Sequence, residues 1–130
     1  LCGVTDFCII IKTRSKANKI DGIEIIGNVK DREVLVIDDM IDTAGTLTKA
    51  AQMMIEHGAK SVRAVCTHAV LSGPAHDRIE NSVLTELIVT DTIPLARTNS
   101  KIKVLTVADL FSTVIDSVLN HESISKNFIS

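Results

Sequence analysis

The chain has 130 residues, 45% hydrophobic and 23% charged, with a formal net charge of −2. That length and balance fit one globular domain burying its own core without disulfide or metal staples, and exclude long disordered segments. The slight acidic excess, no Trp or Tyr and only three Phe exclude a duplex-binding surface and a base-stacking platform, so nucleic acid is not an expected partner.

Leu1 rather than Met opens the chain, close to a first strand, and no basic segment leading into an apolar one marks a secretory signal; the chain reads as a fragment. Residues 7–11 are a short continuous apolar run, the pattern of a strand covered on both faces. Residues 12–19 are basic and polar with no hydrophobic period, and read as a mobile loop. Residues 23–26, closed by Gly27 and Asn28, form a candidate additional strand, and residues 34–37 the clearest buried one. No apolar run approaches the length that crosses a bilayer, so no membrane is expected either. Leu47, Ala51, Met54 and Ile55 then fall on one face of a helical period, and Gly58 stands where a left-handed cap closes a helix. Residues 62–66 form the next buried strand, which makes 34–66 a βαβ unit and implies a parallel sheet.

Pro74 leads into a short polar helix, and residues 86–89 and 102–105 read as further strands. Val107, Leu110, Phe111, Val114, Ile115, Val118 and Leu119 make one apolar stripe on a last helix, with Thr106 and Asp109 spaced as a capping box. No internal repeat, low-complexity tract or linker interrupts the chain. The expected architecture is one α/β domain over residues 1–130, a mostly parallel sheet flanked by helices. Cys2, Cys8 and Cys66 have no CxxC spacing and an odd count, and read as reduced thiols of a cytoplasmic protein. Lys101 and Lys103 read as solvated strand residues. His68 and His76 lack metal-ligand spacing and read as structural.

Residues 34–46 carry the chemistry. They join the buried strand to a helix start, where open α/β sheets bind ligands. Free N–H groups and the positive end of the helix dipole favour a phosphate dianion there. Gly45 lets the backbone come close, and the hydroxyls of Thr43 and Thr46 add hydrogen bonds. Asp38 and Asp39 are acceptors suited to vicinal ribose hydroxyls or to Mg²⁺. Generic capping of a strand and a helix is the plainer alternative, but consecutive acids after an apolar run, then Thr-Ala-Gly-Thr, are an unusual combination for it.

This segment resembles the phosphoribosyl diphosphate-binding signature of type I phosphoribosyltransferases. Most transferases of that group have a small or β-branched residue where this chain has Asp42, and the form Asp-Asp-Met-Ile-Asp-Thr resembles instead the ribose-phosphate diphosphokinases. The rest of the chain is collinear with that narrower family. Residues 12–18, Lys-Thr-Arg-Ser-Lys-Ala-Asn, resemble its basic catalytic loop, residues 67–74 its Thr-His…Ser-Gly segment, and residues 91–94 and 122–125 two stretches near its end. Thr13, Ser15 and Ala44 depart from the residues common at their positions. Only the later part of the two-domain family is resembled; its ATP-gripping residues and the His and Asp ligands of Mg²⁺ would lie ahead of this chain.

The resemblance implies a type I phosphoribosyltransferase-like fold and transfer of the diphosphoryl group of ATP to the 1-hydroxyl of ribose 5-phosphate, with Mg²⁺ as cofactor, in a cytoplasmic homo-oligomer. It implies catalytic roles for Lys12 and Arg14, with Arg14 also touching substrate. Asp38 and Asp39 would serve the ribose, while Asp42, Thr43, Ala44, Gly45 and Thr46 wrap the 5-phosphate. The carboxylate of Asp42 is expected to turn away and bond local N–H groups. Ser123, Ser125 and Phe128 match positions that help bind an allosteric phosphate or nucleoside diphosphate. No metal ligand is expected within the fragment. Two alternatives stand beside this reading, a phosphoribosyltransferase consuming phosphoribosyl diphosphate and a non-catalytic regulatory subunit of the synthetase. Asp42 and the Lys12 loop speak against the first, and retention of Lys12, Arg14 and the whole phosphate loop against the second.

Overall fold

The computed structural model describes residues 8–13 and 22–127. Strands β1 (Ile9–Thr13) and β2 (Gly22–Ile26) pair antiparallel as a separate ribbon, Ile9 opposite Ile26. The main sheet is built from β3 (Glu33–Ile41), β4 (Ser61–Ala69), β5 (Glu86–Thr90) and β6 (Ile102–Leu105), side by side in that order and all parallel. Helix α1 (Gly45–Glu56) connects β3 to β4, α2 (Ala75–Glu80) connects β4 to β5, and α3 (Ala108–Leu119) follows β6. The α/β architecture with a parallel sheet and flanking helices is therefore as the alternation of apolar runs and helical periods implies.

The register places Val62, Ala64 and Cys66 of β4 and Leu87 and Val89 of β5 on one face, where they form a core with Leu47, Ala51 and Met54 of α1 and Ile79 of α2. Strands that step in one direction across a sheet by right-handed crossovers put their helices on the same side, which is why both helices cover this face. Met54, Ile79, Leu84 and Leu87 are fully buried, each contributing about 1.5–3 kcal/mol by removal from water. Gly58 closes α1 at φ +92°, a left-handed conformation that favours glycine, and a Cβ there would stand 3.2 Å from the Lys30 side chain.

Several expectations are revised. The first strand is not covered on both faces: it sits in the ribbon, and Ile9 is 60% exposed. β1 also continues through Lys12 and Thr13, which pair with Ile23 and Gly22, so the strand runs into what reads as loop; backbone pairing, not hydrophobicity, sets its end. Arg14 and the rest of that segment up to residue 21 lie outside the described residues. β3 is the edge of the sheet and Ile37 is 77% exposed, so its apolar run is buried on one face only. It also extends to Ile41, opposite Ala69, well past the apolar run, because the ladder with β4 continues. The stripe of α3 faces outward, with Ile115 56% and Leu119 73% exposed, while Ser117 is its buried residue.

Candidate functional site

The carboxyl end of β3, residues 42–44 and the first turn of α1 form the site. Ala44 is the residue that turns the chain from strand to helix, in the left-handed region at φ 58°, ψ 3°. No side chain caps α1, and the first helical amide bond runs from Thr48 N–H to the Ala44 carbonyl at 3.0 Å. The amides of Gly45, Thr46 and Leu47 thus precede the first intrahelical bond and point out of the helix start, where the dipole is positive. Thr48 turns its hydroxyl back to the Ala44 carbonyl at 3.0 Å and is not part of this surface.

Asp38 and Asp39 are not a pair. Both lie inside β3, where successive side chains project to opposite faces. Asp38 is half-buried and shares its face with Cys66, on the α1 side; its Oδ1 accepts the Asp39 N–H at 3.1 Å. Together with Thr46 it is a polar group lining a cleft of about 350 Å³, otherwise walled by apolar residues such as Ile10, Val36, Leu47 and Met54. Asp39 is exposed and does not line that cleft. Asp38 and Thr46 therefore face the cleft beside the α1 amides, and Asp39 lies around the strand from it.

Asp42 has a partner that the sequence reading missed. The Ser72 hydroxyl donates to its carboxylate, the Ser72 N–H donates to its carbonyl at 3.0 Å, and the Leu71 N–H donates to the Ile41 carbonyl at 3.1 Å. The expected bonds to local N–H groups are replaced by a clasp from the segment after β4, which fixes the start of the loop. A second unforeseen residue is Arg78 of α2. Its Nη1 donates to the Thr43 carbonyl at 2.9 Å and lies 3.2 Å from where a Cβ of Gly45 would stand. Ser72 and Arg78 are 30 and 35 residues from the groups they touch, so no local pattern announces them.

Other predicted positions sort as follows. Lys12 is in β1. Arg14 and Phe128 lie outside the described residues. Ser123 and Ser125 are adjacent in space, the first hydroxyl donating to the second at 3.1 Å and accepting the Ser125 N–H at 3.2 Å. His68 Nδ1 is 3.0 Å from the Thr92 hydroxyl, and Thr92 and Thr90 both donate to the Thr67 carbonyl, which ties the carboxyl ends of β4 and β5 together. His76 is buried, with neither ring nitrogen hydrogen-bonded among the described residues. Lys103 is a solvated strand residue as expected, its side chain 73% exposed while pairing with Glu86, whereas Lys101 precedes β6 and donates to the Ser82 carbonyl at 2.5 Å.

Cys66 is fully buried beneath the site, its thiol donating to the His68 carbonyl at 3.3 Å, and burial pushes its pKa above the ordinary 9.0. Among the described residues no group of three His, Cys, Asp or Glu side chains could hold a metal ion, and no helix is long and apolar enough to cross a membrane.

Comparison with known proteins gives one consistent picture. The phosphoribosyl synthetase-associated domain family matches residues 7–129. The chain is 55% identical over 124 residues to the ribose-phosphate pyrophosphokinase of Campylobacter jejuni, covering 95% of this chain and 40% of that protein. With the ribose-phosphate pyrophosphokinase of Porphyromonas gingivalis it shares 53% identity over 114 residues, 88% of this chain and 36% of that one. Its fold is similar to the crystal structure of phosphoribosylpyrophosphate synthetase from Mycobacterium smegmatis, with a TM-score of 0.75 and 36% identity over 79% of this chain and 35% of that chain. The chain thus spans about 40% of the length of the curated relatives it matches.

Proposed function

The chain belongs to the phosphoribosyl synthetase-associated domain family, and from that premise we propose that it is the acceptor-side part of a ribose-phosphate diphosphokinase, holding ribose 5-phosphate while ATP donates a diphosphoryl group to the sugar. The observation that carries the reading is the uncapped start of α1 behind left-handed Ala44, with half-buried Asp38 and Thr46 lining the adjoining cleft. Outward-pointing amides at a helix start bind a phosphate dianion, and a carboxylate beside them accepts hydrogen bonds from sugar hydroxyls. In this reading Thr43, Ala44, Gly45 and Thr46 surround the 5-phosphate. Asp38 orients the ribose and Asp39 takes a supporting place at the strand. Asp42, clasped by Ser72, shapes the loop.

The reaction joins the 1-hydroxyl oxygen of the sugar to the β-phosphorus of ATP, breaks the bond from that phosphorus to the α–β bridging oxygen, and releases AMP and a proton. Charge accumulates on phosphoryl oxygens at the transition state, so positioning and nearby cations dominate the rate. Lys12 and Arg14 are assigned to that role through their register with the family's basic loop. Mg²⁺, ATP, a cytoplasmic setting and self-association belong to the same reading and rest on the family. Since no three candidate ligands cluster among the described residues, no step is assigned to this chain through the metal.

The test is AMP formation from ATP and ribose 5-phosphate by the full-length protein that carries this chain. Lys12→Ala should lower turnover by roughly two orders of magnitude or more with little change in KM, since its charge is needed most at the transition state. Failure of the wild type to release AMP would overturn the proposed activity, and near-normal turnover of the variant would remove Lys12 from the catalytic residues.

A further inference from the structure

We propose that Arg78 is the cation of the phosphate loop, contacting the sugar phosphate beside the α1 amides; the inference rests on reading residues 42–46 as the phosphate site. Its guanidinium packs over Gly45, with Nη1 3.2 Å and the central carbon 3.8 Å from where a Cβ would stand. Gly45 does not have a positive φ, so its backbone conformation does not require glycine. A Cβ there would sit tight against the guanidinium, which would have to give by a few tenths of an ångström.

Arg78 is held in place but not used up. One of its five N–H donors is engaged by the Thr43 carbonyl at 2.9 Å, which anchors the group to the loop. Its position is further set by α2, whose Ala75, His76 and Ile79 are buried on either side of it in sequence. Yet the side chain is exposed, and among the described residues no carboxylate pairs with it. Several other basic side chains are paired: Arg97 with Asp77, Arg63 with Glu33 and Glu86 at 4.0 Å, and Lys103 with Glu86 at 2.5 Å. The acid of the loop itself, Asp42, takes its hydrogen bond from Ser72 instead. An unneutralised guanidinium anchored over a row of outward amides suits a phosphate dianion, which takes charge-assisted hydrogen bonds from both.

A plainer role would be bracing: Arg78 could matter only through its bond to Thr43. Three substitutions in the full-length protein separate the two. Arg78→Lys keeps the charge, Arg78→Gln keeps an uncharged donor, and Arg78→Met keeps neither. The expected result is that Gln and Met each raise KM for ribose 5-phosphate about tenfold, leave KM for ATP within about twofold, and flatten the weakening of sugar-phosphate binding by salt, while Lys recovers most of the loss. If Arg78→Gln behaves like wild type, or if KM for ATP rises in step with that for ribose 5-phosphate, the phosphate contact is wrong. A wild type that binds no ribose 5-phosphate in calorimetric titration would instead overturn the phosphate-site reading, and this inference with it.

Discussion

Ala44 sits at φ 58° and is only 4% exposed. A non-glycine residue in the left-handed region costs about 1–2 kcal/mol, whereas burying its methyl group returns about 0.8 kcal/mol. The two nearly cancel for Ala44→Gly, which should change unfolding stability by less than about 1 kcal/mol and leave the loop intact. A β-branched side chain tolerates this conformation far less, so Ala44→Val should cost on the order of 2 kcal/mol or more and weaken ribose 5-phosphate binding. Denaturant unfolding and titration of both variants check this; a Val variant as stable as Gly would mean that the turn is not strained. A second residue-scale prediction concerns the tail. Ser123 and Ser125, with hydroxyls 3.1 Å apart, present adjacent donors, and in the full-length protein Ser123→Ala with Ser125→Ala should blunt phosphate activation or ADP inhibition. Unchanged responses to both effectors would leave the two serines as a local turn.

At the scale of elements, α3 starts differently from its sequence pattern. The structure gives α3 Val107 as N-cap with no side-chain cap, and the Thr106 hydroxyl accepts the Ala108 N–H at 3.2 Å rather than forming the expected box with Asp109. The acid that completes the start is Asp91, from the end of β5, which accepts the Val107 N–H at 2.9 Å. Hydrogen bonds from the Thr106 hydroxyl, and then from Val107, hold the Asp91 carboxyl below its ordinary 3.8. A lowered folded-state pKa means that the contribution is fully present above about pH 3.8 and is lost as pH falls through the folded value. Nuclear magnetic resonance should therefore show the Val107 amide titrating with a midpoint below 3.8, and Asp91→Asn should abolish that titration. A midpoint at or above 3.8 would show that the two elements are not linked this way.

At the scale of the molecule, the covered and open faces matter most. Helices α1 and α2 seal one side of the sheet, while Leu35, Ile37 and the α3 stripe remain exposed. The turn into α1 belongs to the sealed side, where Ala44, Leu47 and Leu71 are all buried. The 130-residue chain alone should then retain weak, roughly millimolar, affinity for ribose 5-phosphate through its helix start. It should form no AMP, because it contains neither a Gly-x-x-x-x-Gly-Lys loop nor a Gly-x-Gly-x-x-Gly turn to seat the donor, and diphosphoryl transfer depends on positioning both substrates. Calorimetric titration with ribose 5-phosphate and then Mg·ATP, followed by an AMP assay, tests both halves. Robust AMP formation would place a donor site within this chain, and no sugar-phosphate binding would mean that the loop needs more of the protein to keep its shape.

Local periodicity by itself determined the order of strands and helices, the βαβ unit and the glycine cap at Gly58, because each is written within a few neighbouring residues. The family, too, was legible in residues 34–46 and the collinear segments around them. Tertiary structure decided what depends on distant groups. Where β3 ends is set by its ladder with β4, and only a strand reaching Ile41 sends Asp38 and Asp39 to opposite faces. Whether the α3 stripe is covered depends on what else packs there, which a helical period does not encode. Ser72 on Asp42, Arg78 on Thr43 and Asp91 at the start of α3 are contacts between groups 30, 35 and 16 residues apart, brought together only when the parallel strands align their carboxyl ends.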